Sequence, residues 1–265
     1  MNRTTKSGLL FILILLTAVI AVPAARAYEV HILCYHHLVE ENPQGSSEIT
    51  LEKFKKHMEH LDENDFAVLS LEEFVRHYQE NSFPDNSVLL TFDDGYLSFF
   101  TMAFPVLVKY DFPALIFPIV SHMPGLQRTV QYSEKMSFNN IRQMQNESGL
   151  IDVGSHSYDL HYYENENSPI IFPRPGETEE EYECRIRRDL TTSRNLLELQ
   201  LDQEIIALAW PFGIYTPEAR VIAAEAGFKL MFELGNTPFT PADNWYSIPR
   251  ILADELTLDQ FKELF

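Results

Sequence analysis

Two rhythms of apolar and polar residues alternate along the chain. Short runs with little polar interruption predict strands buried on both faces: 30–35, 66–69, 87–92, 114–120, 150–154, 205–210, 228–232 and 247–251. Between them, apolar residues recur every three or four positions. Leu51, Phe54, Met58 and Leu61 predict a helix over 51–64, and Ser70 is placed to cap one from Leu71. Thr178-Glu179-Glu180-Glu181 is a capping-box pattern that opens a long helix to about 199. Further helices are expected over 98–110, 139–145, 217–226 (closed by Gly227) and 258–265. Repeated strand–helix alternation predicts an α/β fold, a mostly parallel sheet with helices outside it. One long irregular insert, 162–176, carries Pro169, Pro173 and Pro175.

The first 27 residues have a different character. Arg3 and Lys6 precede an apolar run from Gly8 to Val22, and Ala25 and Ala27 fit small-residue cleavage positions. This is the pattern of a secretory signal peptide cut before Tyr28, and the run is short for a membrane span. The expected organisation is therefore a leader over 1–27 and one domain over 28–265, secreted or periplasmic, with no stable membrane span after cleavage.

The whole chain carries 39 acidic and 20 basic residues, a net charge of −19. Removing Arg3, Lys6 and Arg26 with the leader leaves 39 against 17, or −22. That balance argues against a nucleic-acid partner and against docking on an anionic membrane, both of which need Lys/Arg patches. Two cysteines exclude a disulfide scaffold; Cys34 and Cys184 either pair or remain two buried free thiols.

In parallel α/β folds the chemistry gathers past the C-terminal ends of strands, and several polar clusters fall there. Asp93 and Asp94, in Thr-Phe-Asp-Asp-Gly-Tyr, are adjacent carboxylates whose mutual repulsion a bound cation would relieve. The alternative is an Asp-Gly turn with Asp94 capping the next helix. His156 and His161 stand five apart in Ser-His-Ser-Tyr-Asp-Leu-His. Neither a helix nor a strand would aim both at one point, so they converge only if the backbone bends; otherwise they are surface histidines. Pro211 and Gly213 flank Phe212 in a tight turn that either aims its N–H into a pocket or is an ordinary loop with an aromatic plug. His36 and His37 end the first strand. One carboxylate with two imidazoles suits zinc, or alternatively cobalt, nickel or iron, and disfavours magnesium and calcium. The second carboxylate remains as a general base for hydrolysis of a carbonyl.

At these residues the sequence resembles the polysaccharide deacetylase family (NodB homology, carbohydrate esterase family 4), across essentially all of 28–265. The resemblance implies a distorted (β/α) barrel of about seven strands and removal of acetyl groups from N-acetylglucosamine residues of a polysaccharide. It makes Asp93 the base and Asp94, His156 and His161 the metal ligands. The five-residue histidine spacing is similar to the branch acting on poly-β-1,6-N-acetylglucosamine, a biofilm exopolysaccharide. Leu33-Cys34-Tyr35-His36, Arg185-Ile186-Arg187-Arg188-Asp189-Leu190 and Ala209-Trp210-Pro211-Phe212-Gly213 also resemble that branch.

Two departures from most of the family follow. Ala209 stands where an Arg usually tethers the catalytic Asp, and Arg250 is expected to take over the tether, to be a plain salt-bridge partner, or to contact substrate. Many members carry a C-terminal histidine as general acid, but no histidine follows His161; His36, His37, a recycled proton on Asp93 or metal-bound water could serve, and the resemblance of Tyr35-His36 to the branch makes His36 the expected acid. The Phe212 N–H is expected to hold the oxyanion, and Tyr96 or Trp210 to stack on a sugar ring. A peptidoglycan or chitin-oligosaccharide deacetylase is the rival enzyme reading. A degenerate carbohydrate-binding module with weak turnover is the rival outside catalysis.

Overall fold

The structure, a computed structural model, describes residues 28–126, 134–163 and 173–265. The expected leader over 1–27 lies outside the described residues, as does part of the 162–176 insert. Among the described residues there are ten strands and seven α-helices. The strands are β1 (Val30–Tyr35), β2 (His37–Val39), β3 (Glu48–Thr50), β4 (Ala67–Val68), β5 (Ser87–Asp94), β6 (Ala114–Pro118), β7 (Ile151–Val153), β8 (Ala207–Ala209), β9 (Leu230–Leu234) and β10 (Ile248–Leu252). The helices are α1 (Leu51–Glu63), α2 (Leu71–Glu80), α3 (Phe104–Tyr110), α4 (Phe138–Ser148), α5 (Glu179–Leu201), α6 (Pro217–Glu225) and α7 (Leu258–Lys262).

Seven strands pair in parallel in the order β7-β6-β5-β1-β10-β9-β8, and β4 adds to the edge of β5. The two ends of this path meet just past β7. Ser155 N–H donates to the Ala207 carbonyl and Ala209 N–H to the Ser155 carbonyl, each at 2.9 Å. The sheet is thereby nearly closed into a seven-stranded barrel, as the resemblance implied. Gly154 permits the approach, because a Cβ there would lie 2.3 Å from the Phe117 ring and 2.8 Å from the Ala207 carbonyl.

Strand periodicity sorts the side chains into two cores. Ile32, Leu89, Leu115, Phe117, Ala207, Leu230, Phe232 and Ile248 fill the barrel, with Phe74, Phe83 and Phe239 beneath them. Their strand neighbours, among them Leu33, Leu90, Phe92, Ile116, Leu208 and Met231, pack outward against Phe54, Leu107, Ile186 and Leu190 of the helices. The expected helix over 98–110 starts instead as a π-helical turn, Phe99–Ala103, ahead of α3. Pro105 has no N–H to donate, so the backbone bonding shifts register ahead of it. The short parallel pair β2–β3 had no counterpart in the expected elements. Cys34 and Cys184 are both free. Cys34 is buried in a central strand, whereas Cys184 is exposed on α5, which corrects both the pairing and the expectation of two buried thiols.

Candidate metal centre and catalytic residues

Along β5, Leu89, Thr91 and Asp93 alternate with Val88, Leu90 and Phe92, so Asp93 stands inside the barrel above its apolar filling. Asp94 would point the opposite way in a continued strand, but it adopts a φ of 68° and leaves the extended conformation. Both carboxylates thus reach one mouth of the barrel, and both are buried.

Asp94, His156 and His161 meet there, their candidate ligand atoms all within 4.8 Å of one another. Asp94 Oδ1 lies 3.6 Å from Nε2 of each histidine. The backbone bend that the five-residue spacing required is present: Ser157 has a φ of 70°. His156 Nδ1 bonds the Ala209 carbonyl at 2.8 Å, so Nδ1 carries the proton and the Nε2 lone pair faces Asp94. Burial pushes the His156 imidazole down to about 4 and also lowers His161, which keeps both neutral. Asp94 Oδ1 is buried without a hydrogen-bond partner among the described residues. An orphaned carboxylate oxygen facing two neutral imidazole nitrogens is a donor set that fits a zinc-like divalent cation.

Asp93 is held differently. Arg250, fully buried on β10, donates from both terminal nitrogens to its two oxygens at 2.7 and 2.8 Å. Cys34 Sγ lies 3.5 Å from Oδ2. Burial would raise the Asp93 carboxyl, but Arg250 and the neighbouring imidazoles outweigh it and hold the group well below the usual carboxylate range. Arg250 is therefore the tether expected for Asp93. It is not a substrate contact, because it has no exposed surface.

His36 sits beside this pair, with Nε2 at 3.9 Å from Asp93 Oδ2. Its Nδ1 bonds Asp254 Oδ2 at 2.6 Å, and its backbone N–H donates to Oδ1 of the same carboxylate at 3.3 Å. Burial alone would lower the imidazole, but the hydrogen bond to Asp254 and its charge raise it to about 9. Asp254 was missed in the sequence, although its place two residues past β10 is a strand-end position of the kind that flags function. His37 turns away from Asp93 and stacks on Tyr96 at 4.6 Å, bonding Ser98 at 2.8 Å.

Tyr96 donates its hydroxyl to Asp94, and the Lys135 ammonium lies 3.3 Å from its ring centroid. Its ring is thus engaged by His37 and Lys135 within the protein. Trp210 is fully buried and stacked on Tyr215 at 5.2 Å, so it packs in the core and offers no face to a sugar. Phe212 takes a left-handed φ of 59° in a single 3₁₀ turn. Gly213 beside it is required, since a Cβ there would lie 2.6 Å from the Leu234 side chain. The Phe212 ring lies 4.2 Å from those of His161 and Tyr163, and Tyr163 is 57% exposed.

The polysaccharide deacetylase family model matches residues 80–231. That span includes Asp93, Asp94, His156, His161 and Phe212, and leaves His36, Arg250 and Asp254 outside. A poly-beta-1,6-N-acetyl-D-glucosamine N-deacetylase of Staphylococcus epidermidis is 29% identical over 245 residues, covering 88% of this chain and 80% of that protein. Its Staphylococcus aureus counterpart is 27% identical over 216 residues, covering 82% and 70%. Among solved structures, IcaB from Ammonifex degensii superposes with a TM-score of 0.74 at 28% identity, over 89% of this chain and 95% of that one. A de-N-acetylase from Aggregatibacter actinomycetemcomitans shares the fold, with a TM-score of 0.78 at 21% identity over 89% and 100%. Barrel, paired aspartates and matched sequence agree: the chain belongs to the polysaccharide deacetylase family, hydrolases of the N-acetyl amide bonds of sugars.

Proposed function

We propose that the protein is an exported, metal-dependent N-deacetylase acting on poly-β-1,6-N-acetylglucosamine. The observation that carries the metal-dependent chemistry is the division of labour between adjacent carboxylates. Asp94 faces two imidazole nitrogens with an unpartnered oxygen, while Asp93 is clamped by Arg250 beside His36. The substrate reading is supported by the relatives named for that polymer and by the five-residue histidine spacing. Export is supported by the charged, apolar and small-residue sequence of 1–27.

A divalent cation on Asp94, His156 and His161, zinc by the donor chemistry, would supply Lewis-acid polarisation of the acetyl carbonyl and of a water. Arg250 keeps Asp93 ionised and aimed, so it accepts a proton from the attacking water as the C–O bond forms. The Phe212 N–H steadies the carbonyl oxygen as charge builds on it. His36, held as an imidazolium by Asp254, donates its Nε2 proton to the sugar nitrogen, and the C–N bond breaks. Acetic acid and a free amine leave, and the pair ionises in water to acetate and an ammonium. Asp93 then passes its proton back to His36, whose Nε2 lies 3.9 Å from Oδ2, by way of a water, and both groups are reset.

The test is acetate release by the purified chain beginning at Tyr28, from β-1,6- and β-1,4-linked N-acetylglucosamine oligomers, with chelator and with added zinc. Acetate from the β-1,6 oligomer that chelator abolishes and zinc restores is expected. Acetate from β-1,4 oligomers alone would overturn the substrate, and undiminished release in chelator would overturn the metal.

A further inference from the structure

Between His156 and His161 the chain leaves its strand and doubles back, and α5 grips that turn. The two oxygens of Asp189 accept successive backbone N–H groups, Tyr158 into Oδ1 and Asp159 into Oδ2, each at 2.8 Å. One helical turn later Ser193 Oγ receives the Ser155 hydroxyl at 2.8 Å, while Ser155 Oγ accepts the Ser157 N–H at 3.1 Å. From the opposite side the Ser121 N–H donates to the Tyr158 carbonyl and its hydroxyl to Asp159 Oδ1, both at 2.8 Å. His156 has anchors of its own, its N–H on the Pro118 carbonyl at 3.1 Å and its Nδ1 on Ala209. His161 lies beyond the turn, and its place follows the path of the turn.

We propose that Asp189 is a positioning residue for the metal set, fixing the 157–160 turn so that His161 Nε2 faces Asp94 alongside His156. The proposal rests on the reading of Asp94, His156 and His161 as metal ligands. Asp189 is a half-buried carboxylate, and what burial it has raises it to about 7. It is suited to this place because it offers two acceptors at the spacing of consecutive amides, and those two N–H groups favour its ionised form. Without it, two adjacent N–H groups lose their acceptors and the turn relaxes. The ligand on the far side of the turn moves first.

The test uses metal-free full-length protein, wild type, Asp189→Asn and Asp189→Ala. Zn²⁺ affinity is read by competition with a chromogenic chelator, Co²⁺ coordination by its visible absorption, and folding by the melting temperature of the metal-free form. Asp189→Asn keeps one acceptor oxygen and decides the matter if the alanine variant does not fold. The expected result is a Zn²⁺ Kd raised about 10- to 100-fold, with an altered Co²⁺ band. A melting temperature that falls while the Kd stays within about twofold of wild type would assign Asp189 to folding alone and overturn the proposal. Absence of Zn²⁺ and Co²⁺ binding by the wild type would instead show that the ligand reading had failed, and the role of Asp189 with it.

Discussion

Replacing Arg250 with methionine keeps most of the side-chain volume and removes the charge. In the native protein the guanidinium is fully buried, 2.7 and 2.8 Å from the two oxygens of Asp93 and 3.3 Å from Thr91 Oγ1. Methionine therefore strands a buried carboxylate. Breaking one side of a buried ion pair costs about 3–5 kcal/mol, because the remaining charge loses its partner without regaining water. For a domain of this size that is a fall of about 6–20 °C in melting temperature. Asp93→Asn strands the guanidinium and is expected to cost a comparable amount. The double variant leaves no buried charge in the pair, so its loss is smaller than the sum of the single losses by about 2 kcal/mol or more. The assay is reversible urea unfolding of the metal-free wild type, both singles and the double. Strictly additive losses, or an Arg250→Met protein melting within about 2 °C of wild type, would refute the coupling.

His36→Gln removes the imidazolium beside Asp93 and is expected to lower kcat about 10²- to 10⁴-fold while the Zn²⁺ Kd stays near wild type; equal turnover would move the general acid elsewhere. Because the folded His36 is raised from 6.5 to about 9, its stabilising contribution is complete below pH 6.5 and is lost as pH rises to 9. Urea unfolding of the metal-free protein across that window should show the decline in wild type and a flatter profile in His36→Gln. Gly213→Ala combines a φ of 70° with a Cβ 2.6 Å from Leu234, so it is expected to destabilise by about 1–3 kcal/mol and to lower turnover through the Phe212 turn. A thiol reagent should modify one cysteine rapidly in the native protein, the exposed Cys184, and Cys34 only after unfolding.

The rhythm of apolar runs and capped amphipathic stretches determined the strand and helix order by itself, because burial on both faces of a parallel strand leaves a nearly unbroken apolar run. The residues of the candidate site were legible too: Asp93, Asp94 and His156 stand at or just past strand ends, where chemistry collects in such folds, and His161 follows in the same loop. Arg250 could be named as a tether only through the family resemblance, in which an Arg usually stands where this chain has Ala209. Trp210 was misread, since composition does not tell an aromatic that faces a groove from one that fills a core. Barrel closure, decided at Ser155 and Ala207, depends on a glycine whose value lies in a contact 53 positions away in the chain. The convergence of histidines five apart, the Asp254 partner of His36 and the grip of Asp189 on the turn likewise became visible only in three dimensions. The last two are hydrogen bonds between elements far apart in sequence, and local periodicity reports which residues are buried, not which partners they find there.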